Sequence, residues 1–206
     1  MTFTLALLIA VQSFIIACSP EQIPQGHAKL SSIVAIGDSI GNGFGLATPW
    51  PRLLEESLEI PVFNNSVSGK ETDWGLQMIG SLIETHKPSH VVILLGTNDA
   101  ARDTPVESII NNMQEMANQA NSRNVVVLIG TVIPNHQSAR SDLRAREISQ
   151  RMKNIDNAIL VDVRSAMGDG TGLLADGVHP NDTGQQVIAN AFTRQLKSTN
   201  KPSAKR

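Results

Sequence analysis

Val91-Val92-Ile93-Leu94-Leu95 and Val125-Val126-Val127-Leu128-Ile129 are two five-residue runs without a polar side chain, one followed by Gly96 and the other by Gly130. Runs this short, rich in β-branched residues and closed by glycine read as strands rather than as turns of helix. A strand that is apolar on both of its faces has neighbours above and below it, which is the position of a central strand in a parallel sheet. Outward from these two, further strands are expected at Ser32 to Ile36, Ile60 to Phe63 and Ala158 to Val161, with the two runs themselves placed at His90 to Leu95 and Asn124 to Gly130.

Amphipathic stretches of helical length separate the strands: Trp50 to Leu58, Thr72 to His86, Pro105 to Asn121, Ala139 to Lys153 and Asp182 to Lys197. Pro49 and Pro105 sit where a helix start tolerates proline, and Asn181 is a suitable cap for the last helix. Strand and helix in alternation mean β/α units on a parallel sheet. The expected fold is therefore an α/β protein, a three-layer α/β/α sandwich of flavodoxin-like type with strand order 2-1-3-4-5. Ligands bind such sheets beyond the carboxyl ends of the strands, so the residues that follow each strand are the ones to inspect.

Asp176-Gly177-Val178-His179-Pro180 places a carboxylate and an imidazole three residues apart on a segment that Gly177 loosens and Pro180 keeps extended. A carboxylate that orients an imidazole makes a general base, and a general base implies a nucleophile. Ser39, in Ile36-Gly37-Asp38-Ser39 directly after the first strand, is the best candidate. Acyl transfer also needs donors aimed at the oxyanion. Asn98, in Leu95-Gly96-Thr97-Asn98-Asp99, offers a side-chain amide after the third strand; Gly69, in Asn65-Ser66-Val67-Ser68-Gly69, offers a backbone N–H after the second.

Taken in chain order, Gly37-Asp38-Ser39, Gly69, Gly96-Thr97-Asn98-Asp99 and Asp176-Gly177-Val178-His179-Pro180, these four stations resemble the SGNH (GDSL) hydrolase family over about residues 31 to 197. The resemblance implies Ser39 as nucleophile, Asp176 and His179 as its triad partners, and Ser39, Gly69 and Asn98 as the oxyanion donors. The second station departs from the family pattern as Val67-Ser68-Gly69-Lys70, which leaves Ser68 as a substitute for Gly69. Within the family the chain is similar to small bacterial esterases of the arylesterase, acyl-CoA thioesterase and lysophospholipase type. That likeness implies a small-molecule ester or thioester substrate with a short to medium acyl chain, and no cofactor. A lysophospholipid is one such substrate; a carbohydrate O-acetylester is the alternative. A catalytically silent envelope lipoprotein is the reading from another class.

The chain has 206 residues, 41% of them hydrophobic, enough for one sizeable core and too few for two comfortable domains. A net charge of -2 gives no footprint for a phosphate backbone, so nucleic acid is not an expected partner. Met1 to Ala17 carries no charged side chain, is mostly apolar and runs into Cys18, the single cysteine. It resembles a bacterial lipoprotein signal peptide. That implies cleavage before Cys18, lipidation of its thiol and attachment to a membrane of the cell envelope; Ser19 fits an outer membrane, facing the periplasm. An uncleaved anchor or an ordinary secretory signal are the other readings, since no Lys or Arg precedes the apolar run. The expected organisation is a signal at 1–17, a tether at 18–30, the hydrolase domain at 31–197 and a frayed tail at 198–206.

His27, His86, His90 and His136 lack metal-ligand spacing, so no metal is expected. Gly41-Asn42-Gly43-Phe44-Gly45 has Leu46 where a dinucleotide loop needs its third glycine; Ser68-Gly69-Lys70-Glu71 lacks the leading glycine and the hydroxyl of a phosphate loop. The first is expected to form a flexible rim beside Ser39. Asp38 and Asp99 read as structural carboxylates, and Arg140, Arg144, Arg146 and Arg151 as a solvated helix face.

Overall fold

The computed structural model describes residues 28–45 and 47–200; Cys18, the apolar segment before it, most of the tether, Leu46 and residues 201–206 lie outside them. Five parallel strands, β1 (Ile33–Gly37), β2 (Val62–Asn64), β3 (His90–Leu94), β4 (Val126–Gly130) and β5 (Ile159–Val161), form one sheet in the order β2-β1-β3-β4-β5. The expected order is the observed one. The helices are α1 (Ser39–Asn42), α2 (Trp50–Leu58), α3 (Thr72–His86), α4 (Thr97–Ala101), α5 (Val106–Asn121), α6 (Ala139–Arg151), α7 (Val163–Met167) and α8 (Asp182–Thr199), with a 3-10 turn at Met152–Asn154.

Alternate residues of the central strands point into two separate cores, the direct consequence of the two-residue period of a strand. Val34, Ile36, Val91, Ile93, Val127 and Ile129 face α3, α5 and α6 through Ile79, Ile109, Met113, Met116 and Ile148. Ile33, Ala35, Val92, Leu94 and Leu128 face α2, α7 and α8 through Trp50, Leu54, Val163, Ile188 and Phe192. Trp50 and Phe192 meet at 5.1 Å between ring centroids. A fully buried side chain of this size contributes roughly 1.5–3 kcal/mol, so both layers are held against the sheet by burial rather than by surface contacts.

Strand β2, helix α8 and the arginines of α6 depart from the expectation. Strand β2 starts two residues late, at Val62, because Glu59 turns the chain at φ 56° and Pro61 has no N–H for the ladder. Helix α8 continues to Thr199, so Ser198 and Thr199 are helical rather than frayed. On α6 the arginines do more than face solvent: Arg144 reaches the Thr104 carbonyl at 2.5 Å and Asp103 at 3.4 Å, and Arg151 pairs with Glu107. They tie α6 to the loop after α4 and to α5.

Candidate active site

Ser39, Gly69 and Asn98 all follow a strand at its carboxyl end, and the register of a parallel sheet therefore carries them to one edge. Each is placed by a different local device. Ser39 opens α1, whose cap is Asp38: the Asp38 Oδ1 accepts the Ile40 N–H at 2.9 Å, and the Asp38 carbonyl accepts the Asn42 N–H. Gly69 occupies the third position of a turn closed by the Lys70 N–H to the Val67 carbonyl; its φ of 77° is left-handed, where a Cβ would be strained. Ser68 sits one place earlier in that turn, so the left-handed φ falls on Gly69 and not on its substitute. Asn98 is the second residue of α4.

The fourth station comes from the far end of the chain. In the Asp176-Gly177-Val178-His179 turn, Asp176 Oδ1 accepts the backbone N–H of Val178 at 2.9 Å and of His179 at 2.7 Å, which folds the loop around its own carboxylate. Gly177, at φ 89°, supplies the left-handed bend. Its carbonyl accepts the His136 N–H at 2.7 Å, and Gln137 donates to the Asp176 carbonyl at 2.9 Å, so the segment after β4 clamps the loop from outside. Asn181 then caps α8 through the Gly184 N–H, as its position after Pro180 leads one to expect.

The result is a continuous chain of side chains. Ser39 Oγ lies 3.0 Å from His179 Nε2, and His179 Nδ1 lies 2.7 Å from Asp176 Oδ2. Asp176 Oδ2 can only accept, so the imidazole carries its proton on Nδ1 and turns the Nε2 lone pair toward Ser39. Burial pushes the Asp176 carboxyl up, but the His179 backbone N–H, its ring and the Val178 N–H outweigh it and bring the group down to about 2. The carboxylate is thus ionised at any pH at which the protein would be assayed. Phe44, at φ 48° between Gly43 and Gly45, stacks on the His179 ring with centroids 4.0 Å apart and planes 3° from parallel. The glycine-rich segment is therefore not only a rim: its one aromatic covers a face of the imidazole.

Sequence reasoning missed two residues that support this arrangement. Gln185 is buried on α8; its Oε1 accepts the Trp50 N–H and its Nε2 donates to the Ile40 carbonyl, each at 2.8 Å, which fixes α1 and Ser39 against α2 and α8. Its signal was a polar residue in helical register with Ile188 and Phe192, on the face those residues bury. Asn64, the last residue of β2, donates to the Gly41 carbonyl and accepts the Ser66 N–H; nothing in the pattern marked it.

The two carboxylates read as structural are both fully buried. Asp99 accepts the Thr72 N–H and hydroxyl, and so anchors the start of α3; burial raises its carboxyl in spite of those bonds. Asp38 has one further contact, from Asn98 Nδ2 to its Oδ2 at 3.2 Å. Burial, with the Asp99 charge adding to it, pushes Asp38 up to about 7 against the bonds from Ile40 and Asn98. The unfolded chain releases this proton near 3.8 and the folded chain near 7, so the stability attached to it is complete below the first value and is lost as pH rises through the second. Asp38→Asn, which has no charge to bury, is expected to be more stable than the parent at pH 8, by on the order of 4 kcal/mol, and to have no advantage at pH 4. Thermal unfolding of both proteins at the two pH values checks this; a variant less stable at pH 8 would show that the bonds to the carboxylate outweigh its desolvation.

A sequence model of the GDSL-like Lipase/Acylhydrolase family matches residues 35–187, a span that holds every residue of the four stations. The chain is similar to an arylesterase of Vibrio mimicus, with 28% identity over 175 residues, 80% of this chain and 87% of the relative. It is also similar to the thioesterase 1/protease 1/lysophospholipase L1 of Escherichia coli K12, with 24% identity over 177 residues, 82% of this chain and 85% of the relative. Among solved structures, that of TesA superposes with a TM-score of 0.72 and 27% identity, covering 82% of this chain and 99% of the other.

Proposed function

Because the chain belongs to the GDSL-like lipase/acylhydrolase family of ester hydrolases, we propose that it cleaves carboxylic esters or thioesters of short to medium acyl chains through an acyl-enzyme on Ser39. The observation that carries this is the unbroken line from Ser39 Oγ through the His179 ring to Asp176, at 3.0 and 2.7 Å. Ser39 Oγ attacks the acyl carbonyl while His179 Nε2 takes its proton, and Asp176 stabilises the imidazolium that results. The backbone N–H groups of Ser39 and Gly69 have no acceptor among the described residues, which leaves both for the oxyanion; Asn98 supplies a third from its side chain. His179 then protonates the leaving alkoxide or thiolate, and afterwards takes a proton from the water that releases the acyl group.

Two exposed apolar side chains favour an acyl chain over a sugar. Phe44 and Val67, 49% and 41% exposed, stand on the segments that carry Ser39 and Gly69. Apolar groups in water beside a nucleophile suit an alkyl chain laid across them. Sugar acetates would gain little there. The similarity to the Escherichia coli thioesterase/lysophospholipase supports a lysophospholipid among the substrates. An apolar segment ending at Cys18 supports a lipid-anchored enzyme of the bacterial envelope, with the hydrolase unit at 31–197 held on a tether of residues 18–30.

The test is the rate of the full chain on p-nitrophenyl esters from two to sixteen carbons, beside acetylated xylo-oligomers. Medium-length esters are expected to run ahead of both the longest esters and the sugar acetates. Xylo-oligomer acetates far ahead of every p-nitrophenyl ester would overturn the acyl-chain reading in favour of a carbohydrate O-acetylesterase.

A further inference from the structure

The contact between Asp38 and Asn98 does something that capping does not require. The cap of α1 uses Asp38 Oδ1 alone, and a serine could supply it. The other oxygen, Oδ2, takes a hydrogen from Asn98 Nδ2, sixty residues away in the chain. The same nitrogen donates to the Lys70 carbonyl at 3.0 Å. Its two acceptors belong to Asp38 and Lys70, the chain neighbours of Ser39 and Gly69.

Those acceptors also decide which end of the amide lies there. A carboxamide is nearly symmetric in shape, and only its hydrogen bonds fix its orientation. Turned over, Asn98 would bring Oδ1 against the Lys70 carbonyl oxygen and, above the value of about 7 at which Asp38 ionises, against a carboxylate oxygen as well. We propose that Asp38 is a positioning residue for the reaction, acting through Asn98: its Oδ2 holds the amide nitrogen, and not the amide oxygen, where the oxyanion forms. This rests on the reading of Asn98 as an oxyanion donor. Both amide hydrogens are engaged, so one of these bonds opens as negative charge develops on the substrate.

An asparagine at position 38 has the same shape but can present its own NH2 to residue 98, and so lets the Asn98 amide turn its oxygen into the site. Asp38→Asn is expected to lower kcat at least about tenfold with KM within about twofold of the parent, the split produced by losing an interaction made in the transition state. Asn98→Ala is expected to lose on the order of 10²–10³ in kcat. If Asp38 acts through Asn98, Asp38→Asn added to Asn98→Ala costs less than about twofold more. Asp38→Ser, which keeps the cap but is too short to reach Asn98, is expected to lose kcat as Asp38→Asn does, and it decides the matter if the asparagine variant does not fold.

All variants are made in the full chain and assayed on one p-nitrophenyl ester at about pH 8, where the Asp38 carboxyl is ionised, with their melting temperatures measured in parallel. Losses that multiply in the double variant, or an Asp38→Ser enzyme with parental kcat, would overturn the inference while leaving Asn98 its role. An Asn98→Ala enzyme with parental kcat would instead remove Asn98 from the oxyanion site, and this inference with it.

Discussion

Ser39→Ala is expected to lower kcat on esters by on the order of 10⁶-fold and to abolish both labelling by a fluorophosphonate and the burst of p-nitrophenol that precedes steady turnover. The size follows from what the change removes and what it leaves. The acyl-enzyme cannot form without Oγ, and His179 Nε2 loses the group it faces at 3.0 Å. The backbone N–H groups of residues 39 and 69 remain, so the variant still polarises a bound carbonyl, and a residual rate of roughly 10³ over water is expected from those donors and from binding. Folding should be nearly unchanged: alanine is a good helix former at the start of α1, and Asp38 keeps its bond to the Ile40 N–H. His179 has 15% of its side chain exposed, so water can replace the lost hydroxyl. A variant that retained within a hundredfold of the parental kcat, with its melting temperature unmoved, would mean that hydrolysis at this site proceeds by direct attack of water.

The stations of the site were legible because each is a short segment tied to the end of a strand, and the strands were legible from composition alone. Val91 to Leu95 and Val125 to Ile129 could be nothing but buried, and helices over Trp50–Leu58 and Thr72–His86 were read to their last residue because their apolar faces repeat over two turns or more. Helices α1, α4 and α7, of four or five residues, are too short to show any period and were not expected. Caps hold two of them: Asp38 accepts the Ile40 N–H at the start of α1, and Asp162 accepts the Ser165 N–H at the start of α7. Contacts between stations were the other illegible part. Asp38 was read as the carboxylate that shapes its own turn, which it is; that its second oxygen meets Asn98 depends on β1 and β3 being neighbours and on the two loops bending the same way. Phe44 could be placed beside the nucleophile but not on the histidine, since the loop that delivers His179 lies 135 residues further along.

Asp176→Asn is expected to lower kcat by on the order of 10⁴-fold while leaving the loop intact. The carboxylate does two separable jobs, one with each oxygen. Oδ1 accepts the Val178 and His179 N–H groups and shapes the turn; an amide oxygen does the same, so the Asx turn around Gly177 persists. Oδ2 accepts the His179 Nδ1 proton at 2.7 Å, and there asparagine presents an NH2 group, which can only donate. The imidazole answers by moving its proton to Nε2, the atom that faces Ser39, and in that tautomer it cannot take the hydroxyl proton. Since the parental carboxyl titrates at about 2, it is fully ionised from pH 5 upward, and the deficit at pH 8 does not reflect its titration. Asp176→Ala removes both jobs at once and is expected to show the same kinetic loss with a lower melting temperature. The comparison that decides is the ratio of kcat between parent and Asp176→Asn, measured with unfolding curves for both. A ratio under tenfold would mean that the hydrogen bond between Asp176 and His179 builds the loop without setting the state of the base.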